Sequence, residues 1–319
     1  MGVVSMKSKI RRILLAVRDP SRPPRAALRK VAGLARATHA AVELFHALSE
    51  PGDPASPAGA AALKAARRRL ERMARTPLLE DCRPSAHVEW DYPPHEAIVR
   101  RALRIGADLV IATAQPSGFG KRLWLRNTDW ELIRHCPCQL LIVKSARAYR
   151  KPRILVAVDP MHAHAKPTAL DQRLLASAKA LASTLSGSVH IFHAYMPLVA
   201  SVQGPMGEPL VWESPEVEEV HSAQIAREFA RVAAQGGIVP RNRHLMMGDV
   251  PTLLEGTVRK LHAGLAVMGA VSRSRLRRLV VGSTAERVLD QLTCDVLIVK
   301  PRGFATSVPK RMSAVPARR

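Results

Sequence analysis

The sequence predicts an α/β protein of two tandem domains, each a five-stranded parallel, doubly wound sheet with helices on both faces. Three observations predict this fold. Short apolar runs alternate with longer segments of helical period along the chain. Three strings recur in the same order, about 150 residues apart. The length of 319 residues is also about twice that of a typical domain.

The repeat defines the domain limits. Residues 13–17 return as 154–158, Phe45-His46-Ala47 as Phe192-His193-Ala194, and 136–144 as 294–300. The spacing drifts in the way that loop insertions within a duplicated domain produce. The polar stretch 145–153 separates the copies. We therefore expect domain 1 at 10–147 and domain 2 at 152–303, with basic tails at 1–9 and 304–319.

The first half contains five segments that are short and apolar enough to form strands. They are predicted at 13–17, 41–47, 86–90, 108–113 and 139–143. Strands that alternate with helical segments over about 150 residues favour a parallel sheet.

The second half repeats this pattern. The continuous apolar run 154–158 is typical of a strand that is covered on both faces. Residues 170–185 place apolar side chains at helical spacing, and Gly187 ends that helix. Further strands are predicted at 189–194, 244–247, 265–269 and 296–299, with helices at 217–234, 250–262 and 284–292.

The charge of the chain limits the classes of partner. Lys and Arg number 49 against 26 Asp and Glu, a net charge of +23 that is spread over both halves. Such a charge predicts weak attraction to polyanions. With 4% aromatic residues, however, a stacking platform for single strands is not expected. Arg67–Arg69, Arg72 and Arg75 are interpreted as the solvated face of a helix. A polyanion- or nucleic-acid-binding protein on the same scaffold stays open as an alternative.

Other features favour a cytoplasmic protein without membrane contact. The apolar run after the basic N-terminus is too short for a signal peptide, and no stretch is long enough to span a bilayer. Four cysteines are too few for a disulfide scaffold. Cys294 is taken as the repeat equivalent of Cys136, and both are expected to be packing residues. His46 and His193 are expected to be hydrogen-bonded structural histidines.

Catalytic and metal-binding residues are not predicted. The sequence shows no Ser-His-Asp set and no paired carboxylates, and Cys136-Pro-Cys138 lacks further metal ligands. The protein is therefore not expected to be an enzyme. Weak ATP hydrolysis or adenylyl transfer stays open as an alternative.

The chemistry is expected in the loops after the first and fourth strands of domain 2. In open parallel sheets these loops meet where the strand order reverses. The second loop contains Gly269 and Ser272, and nine further residues that begin at Arg273 lead to Gly282-Ser283-Thr284 at a helix start. Glycines and a helix N-terminus suit a phosphate. An ordinary turn with a helix cap is the alternative reading.

These motifs resemble the universal stress protein (UspA) family. The resemblance rests on the Gly-rich loop, on Asp159 after the first strand, and on the strings 282–301 and 128–137. Two such domains in one chain are similar to the tandem, E-type members of that family. The resemblance covers about residues 10 to 303. It implies an adenine nucleotide alpha hydrolase-like fold, a role in stress adaptation, and pairing of the two domains through strands 139–143 and 295–299.

The resemblance also implies a candidate ATP site in domain 2. Asp159 would lie near adenine and ribose, with Val158, Met247 and Gly248 lining that pocket. The phosphates would be held by Gly269, Ser272, Gly282, Ser283 and Thr284, beside a basic cluster that begins at Arg273.

Domain 1 departs from this pattern. The first loop glycine is missing, Asn127-Thr128 stand where Gly-Ser is expected, and Trp124 and Trp130 are bulky additions. A closed pocket, or one that accepts an apolar ligand, is expected there.

Overall fold

The computed structural model describes residues 10–49, 52–116, 123–124, 127–161, 169–197, 200–203, 209–212, 215–270 and 283–310. Domain 1 contains β1 (Arg12–Ala16), α1 (Arg25–Thr38), β2 (Ala41–Leu48), α2 (Pro57–Ala74), β3 (Ser85–Trp90), α3 (Pro94–Ile105), β4 (Leu109–Thr113), β5 (Gln115–Pro116), β6 (Leu123–Trp124), α4 (Asn127–His135) and β7 (Gln139–Val143). Short 3-10 helices cover Pro77–Cys82 and Pro240–Asn242.

Domain 2 repeats this order. It contains β8 (Arg153–Ala157), α5 (Ala169–Leu185), β9 (Ser188–Tyr195), β10 (Ala200–Gln203), β11 (Pro209–Trp212), α6 (Pro215–Gln235), β12 (Arg243–Met247), α7 (Val250–Leu261), β13 (Leu265–Gly269), α8 (Ser283–Gln291) and β14 (Asp295–Val299). The predicted α/β fold and its order of elements are confirmed.

The two five-stranded sheets join into one ten-stranded sheet. Its order is β12-β9-β8-β13-β14-β7-β4-β1-β2-β3. Neighbours within each half are parallel. β14 and β7 pair antiparallel across the middle, with Leu297 opposite Leu141. The pairing that the resemblance implies is therefore present in the structure.

The sheet is covered on both faces, which explains the continuous apolar strands. Val156 and Leu297 enter the core beneath α1, α2, α5 and α6, whereas Leu155 and Ile298 enter the core beneath α3, α4, α7 and α8. Both cores contain residues of both domains. No helix within the described ranges is long and apolar enough to cross a bilayer.

A buried carboxylate joins the domains. Asp295, at the start of β14, is fully buried and forms an ion pair with Lys30 of α1. It also accepts hydrogen bonds from the Lys144 and Ser145 amides at 2.9 Å and from the Tyr149 hydroxyl at 2.6 Å. These donors all come from domain 1 or the linker, so Asp295 fixes the position of one domain on the other.

Two buried lysines make reciprocal contacts across the same boundary. Lys144 Nζ donates to the Leu289 carbonyl at 2.5 Å, near the end of α8. Lys300 Nζ donates to the Ile133 carbonyl and, at 3.1 Å, to the Arg134 carbonyl, at the end of α4. Cations at a helix C-terminus are stabilising because the helix dipole is negative there. Each domain therefore caps the last helix of the other.

The register corrects one equivalence. Leu109 pairs with Gln139 in domain 1 as Leu265 pairs with Asp295 in domain 2. Cys294 therefore matches Cys138, and the match to Cys136 was wrong. The helix before the strand ends at His135 in domain 1 and at Gln291 in domain 2, so the spacing to Gln139 and to Asp295 is the same. Matching Cys294 to Cys136 by residue type alone shifts this register by two residues. The expected packing role holds for Cys136 and Cys294, which are both buried.

Part of the region assigned to the C-terminal basic tail lies against domain 1. Val308 is buried in the core that contains α4, and the Ser307 hydroxyl lies 3.2 Å from His135 Nδ1. Lys300 Nζ lies 4.5 Å from the ring centre of Phe304. The outer limits of the two domains otherwise stay a prediction.

Candidate functional site

The candidate site begins at the carboxyl end of β8. Val158 donates its amide hydrogen to the Phe192 carbonyl at 3.0 Å, and its own carbonyl lies 3.0 Å from His193 Nδ1. The next residue, Asp159, is half-buried. Its carboxylate makes no hydrogen bond or ion pair with the part of the chain that the structure describes. The backbone here is fixed while an acidic side chain stays available to a ligand.

Asp171, in the first turn of α5, is a site residue that the sequence did not reveal. Its buried carboxylate accepts the Asp159 amide hydrogen at 3.2 and 3.3 Å. It also lines a cavity of about 190 Å³ with Lys179 and Arg231, between α5 and α6. An acidic residue in the first turn of a helix is common, so only the tertiary contact distinguishes Asp171.

The carboxyl end of β12 supplies Met247 and Gly248. The Met247 side chain is 57% exposed, and Gly248 has φ +134°. A Cβ atom on Gly248 would lie 3.2 Å from the side chain of Leu253. The positive φ of Gly248 and the short distance to Leu253 both favour glycine at this turn.

Asp249 follows and begins helix α7. It accepts hydrogen bonds from the Thr252 hydroxyl at 2.6 Å and the Thr252 amide at 3.1 Å, and these bonds hold the pKa of Asp249 below its ordinary value. Arg287 of α8 lies 3.7 Å from the same carboxylate. This contact ties the start of α7 to the helix that follows the Gly-rich loop.

The strand order reverses between β8 and β13, which supports the predicted position of the site. β13 pairs with β8 through Val267 and Val156, and this register places Gly269 beside Val158. Met247 lies two strands from β8, about 10 Å away, because β9 lies between them. The three strand ends therefore form one edge that suits an elongated ligand.

The structure describes only part of the predicted phosphate loop. Ser283 and Thr284 are the first two residues of α8. Their amides lie at the positive end of the helix dipole, which attracts anions. Ser272, Arg273 and Gly282 fall outside the described residues.

Domain 1 fills the equivalent position with its own side chains. Val17 bonds to Phe45 as Val158 bonds to Phe192, so Arg18 is the equivalent of Asp159. Arg18 forms an ion pair with Asp129, a fully buried residue in the first turn of α4. A carboxylate thus occupies the helix N-terminus that would receive a phosphate, and the facing cation is already paired.

The other end of the domain 1 site is also changed. The Asp91 amide donates to the Leu48 carbonyl as the Gly248 amide donates to the Tyr195 carbonyl, so Trp90-Asp91 stand where Met247-Gly248 stand in domain 2. The Asp91 carboxylate is buried and accepts two hydrogen bonds from Arg100, at 2.7 and 2.9 Å. Both ends of this edge in domain 1 therefore carry internal ion pairs, and a closed pocket or one that accepts an apolar ligand stays a prediction.

The histidine and cysteine predictions can also be placed. His46 Nδ1 lies 2.8 Å from the Val17 carbonyl, as His193 Nδ1 lies 3.0 Å from that of Val158. Their structural hydrogen bonds are confirmed. The Sγ atoms of Cys136 and Cys138 lie 3.8 Å apart. Among the described ranges, no group of three or more His, Cys, Asp or Glu side chains could hold a metal ion.

Comparison with known proteins shows similarity over both halves of the chain. The model of the Universal stress protein family matches residues 9–144 and 152–300. Universal stress protein E of Escherichia coli strain K12 is 28% identical over 224 residues, which are 69% of this chain and 69% of that protein.

Two solved structures share the fold over most of the chain, including both domains. A putative universal stress protein from Pseudomonas aeruginosa UCBPP-PA14 superposes with a TM-score of 0.70 at 26% identity, over 92% of this chain and 95% of that one. A universal stress protein from Archaeoglobus fulgidus DSM 4304 gives a TM-score of 0.65 over 91% of this chain and 98% of that one. At 16% identity, the latter shows the fold alone.

Proposed function

The chain belongs to the universal stress protein family, and from this premise we propose that it is a ligand-binding stress protein with one adenine nucleotide site, in domain 2. The ligand in this proposal is ATP or ADP. Domain 1 holds no nucleotide and acts as the structural partner of domain 2.

The difference between the two equivalent loops carries the proposal. In domain 2, the Asp159 carboxylate has no partner among the described residues. In domain 1, Arg18 and Asp129 satisfy each other at the same place. A ligand at domain 1 would have to separate an ion pair whose carboxylate is fully buried, and breaking such a pair is costly.

Each residue of domain 2 has a role in this proposal. Asp159 would accept hydrogen bonds from ribose hydroxyls, with its backbone held by Asp171. The exposed Met247 side chain would pack on the adenine ring. The amides of Ser283 and Thr284 would receive a phosphate at the start of α8.

The remaining predicted residues complete the proposed site. Val158 and Gly248 would line the base and ribose pocket, and Gly269, Ser272, Gly282 and Arg273 would surround the phosphates. The nucleotide would be bound without being hydrolysed, because the sequence supplies no general base beside the phosphate positions. The described chain has free cysteines, and a reducing cytoplasm fits both these thiols and a nucleotide ligand.

Calorimetric titration of the full chain with ATP and with ADP tests the proposal. We expect one site per chain, and we expect Asp159→Ala to weaken binding at least about tenfold because it removes a charged hydrogen-bond acceptor. Asp19→Ala is the matched control, since Asp19 follows the first strand of domain 1 but bonds locally to Ser21, with 2.8 Å from the Ser21 amide.

Three results would contradict the proposal. Absence of binding at millimolar nucleotide would show that the ligand is not ATP or ADP. Two sites per chain would show that domain 1 binds nucleotide as well as domain 2. Equal affinity of the Asp159→Ala variant and the unchanged chain would show that the nucleotide does not bind beside Asp159. Release of phosphate from ATP by the purified protein would favour the hydrolase alternative.

A further inference from the structure

The helix between the second and third strands differs sharply in charge between the two domains. In domain 1 this helix is α2, which carries five basic residues and one acidic residue. Its counterpart in domain 2 is α6, with two arginines and four glutamates. Equivalent surfaces of the two domains therefore have opposite charge. The net charge of +23 alone does not explain the basic face of α2.

The basic residues of α2 form a continuous stripe, which we call the α2 stripe: Lys64, Arg68, Arg72 and Arg75. These positions are spaced by four, four and three residues, so they lie on one face of the helix. Arg75 is the C-cap residue, and all four side chains are exposed. From the first to the last, the stripe spans about 16 Å at the rise of an α-helix.

The stripe is available to a partner. Arg67 pairs with Glu71 at 2.9 Å, beside the stripe. None of the four stripe residues makes an ion pair or side-chain hydrogen bond with the described part of the chain. Five or six unit charges on one helix repel one another, and that repulsion is relieved by an external polyanion.

We propose that the α2 stripe docks on the phosphate backbone of duplex nucleic acid. Each strand of a duplex presents one phosphate per about 3.4 Å of axis, so the stripe faces about five phosphates of one strand. The helix has no aromatic side chain for base stacking and no Asn or Gln for reading base edges. Binding is therefore electrostatic and independent of sequence.

A membrane surface fits these observations less well. The apolar side of α2, formed by Ala66, Leu70, Met73 and Ala74, is buried against the sheet. No apolar face is left to insert between lipids, as an interfacial helix requires. The nucleotide site in domain 2 is not part of this inference, and either proposal can fail alone.

Fluorescence anisotropy with an arbitrary labelled duplex, over about 50 to 200 mM salt, tests the inference with the full chain. The triple variant Arg68→Gln, Arg72→Gln, Arg75→Gln removes three stripe charges and retains good helix formers. The slope of log affinity against log salt should become shallower by about 2.7, because each phosphate contact contributes about 0.9. The matched control is Arg227→Gln, Arg241→Gln, Lys260→Gln, which removes three exposed charges from domain 2.

The control variant should keep the slope of the unchanged chain. An equal loss of slope in both triple variants would overturn the inference, because it would assign binding to net charge alone. Absence of duplex binding at low salt would overturn it as well. Binding to phosphatidylglycerol vesicles through the stripe, with no binding to the duplex, would show that a membrane is the partner instead.

Discussion

Domain 1 and domain 2 share their backbone contacts and differ in the side chains that those contacts position. His46 and His193 bond to equivalent carbonyls, at 2.8 and 3.0 Å, and so hold the loop after the first strand in both domains. That loop then presents Arg18, paired with Asp129, in one domain and Asp159 in the other. The backbone contacts are therefore the same in both domains, while the side chains that follow the first strand differ.

The same contrast occurs where the domains meet. Asp295 of domain 2 is equivalent to Gln139 of domain 1 in the strand register. Asp295 pairs with buried Lys30, whereas the Gln139 amide donates to the Ser177 hydroxyl at 3.2 Å. At these two equivalent positions, Asp295 therefore makes an ionic contact and Gln139 makes a hydrogen bond between neutral groups.

The largest expected effect tests this interface. Asp295→Asn keeps the size of the side chain but leaves the Lys30 charge buried without a counterion. We expect the free energy of unfolding to fall by about 3 to 5 kcal/mol. Gln139→Ala removes the hydrogen bond between the neutral Gln139 and Ser177 side chains, and loss of that bond should cost about 1 kcal/mol. Urea unfolding of the full chain measures both.

A double variant separates the charge from the packing. Lys30→Met combined with Asp295→Asn removes both charges, so it should be more stable than Asp295→Asn alone. Equal losses for Asp295→Asn and Gln139→Ala would show that the ion pair does not distinguish the two halves of the interface.

The next effect concerns the two residues that follow the first strand of each domain, Arg18 and Asp159. Arg18→Gln removes the ion pair between Arg18 and the fully buried Asp129 carboxylate. Because Arg18 is itself a quarter exposed and water can replace part of the contact, we expect a loss of about 2 kcal/mol, less than for a fully buried pair. Asp159→Asn, at the equivalent position, should change stability by less than about 0.5 kcal/mol.

These two variants are compared by urea unfolding without nucleotide. A loss at Asp159→Asn as large as that at Arg18→Gln would mean that the Asp159 carboxylate is satisfied inside the protein. It would then not be available to a ligand, and the proposed difference between the domains would not hold.

The strands could be predicted from the sequence because each central strand is buried on both faces. Continuous apolar runs such as 13–17 and 154–158 result from that burial. The reversal of strand order follows from the fold class, so the edge with Val158 and Gly269 could also be predicted. The apolar runs and the rules of the fold class are therefore enough to predict the strands and the position of this edge.

The contacts that distinguish the domains could not be predicted. Arg18 and Asp129 are 111 positions apart, and Lys30 and Asp295 are 265 apart. Charged residues are common at strand ends and on helices, and only the packed structure shows which of them meet. The predicted equivalence of Cys294 and Cys136 failed for a related reason, since pairing register is set by neighbouring strands rather than by residue type.

The smallest expected effect tests what the two domains still share. Burial lowers the pKa of Lys144 to about 8 and that of Lys300 to about 8, below the 10.5 of an ordinary lysine. Between about pH 8 and pH 10.5, these lysines bind more protons in the unfolded chain than in the folded chain. Stability contributed by each lysine therefore rises with pH above about 8.

We expect each lysine to raise the free energy of unfolding by about 1 kcal/mol between about pH 7 and pH 8.5 to 9. The window ends there because burial raises the pKa of Cys294 to about 12, from 9.0 for an ordinary thiol, which lowers stability as the pH rises further. Urea unfolding at both pH values measures the rise. Lys144→Met and Lys300→Met should each remove about half of it, because each lysine caps the other domain in the same way. If one variant removes the whole rise, the reciprocal caps are not equivalent, and the asymmetry between the domains extends into their shared scaffold.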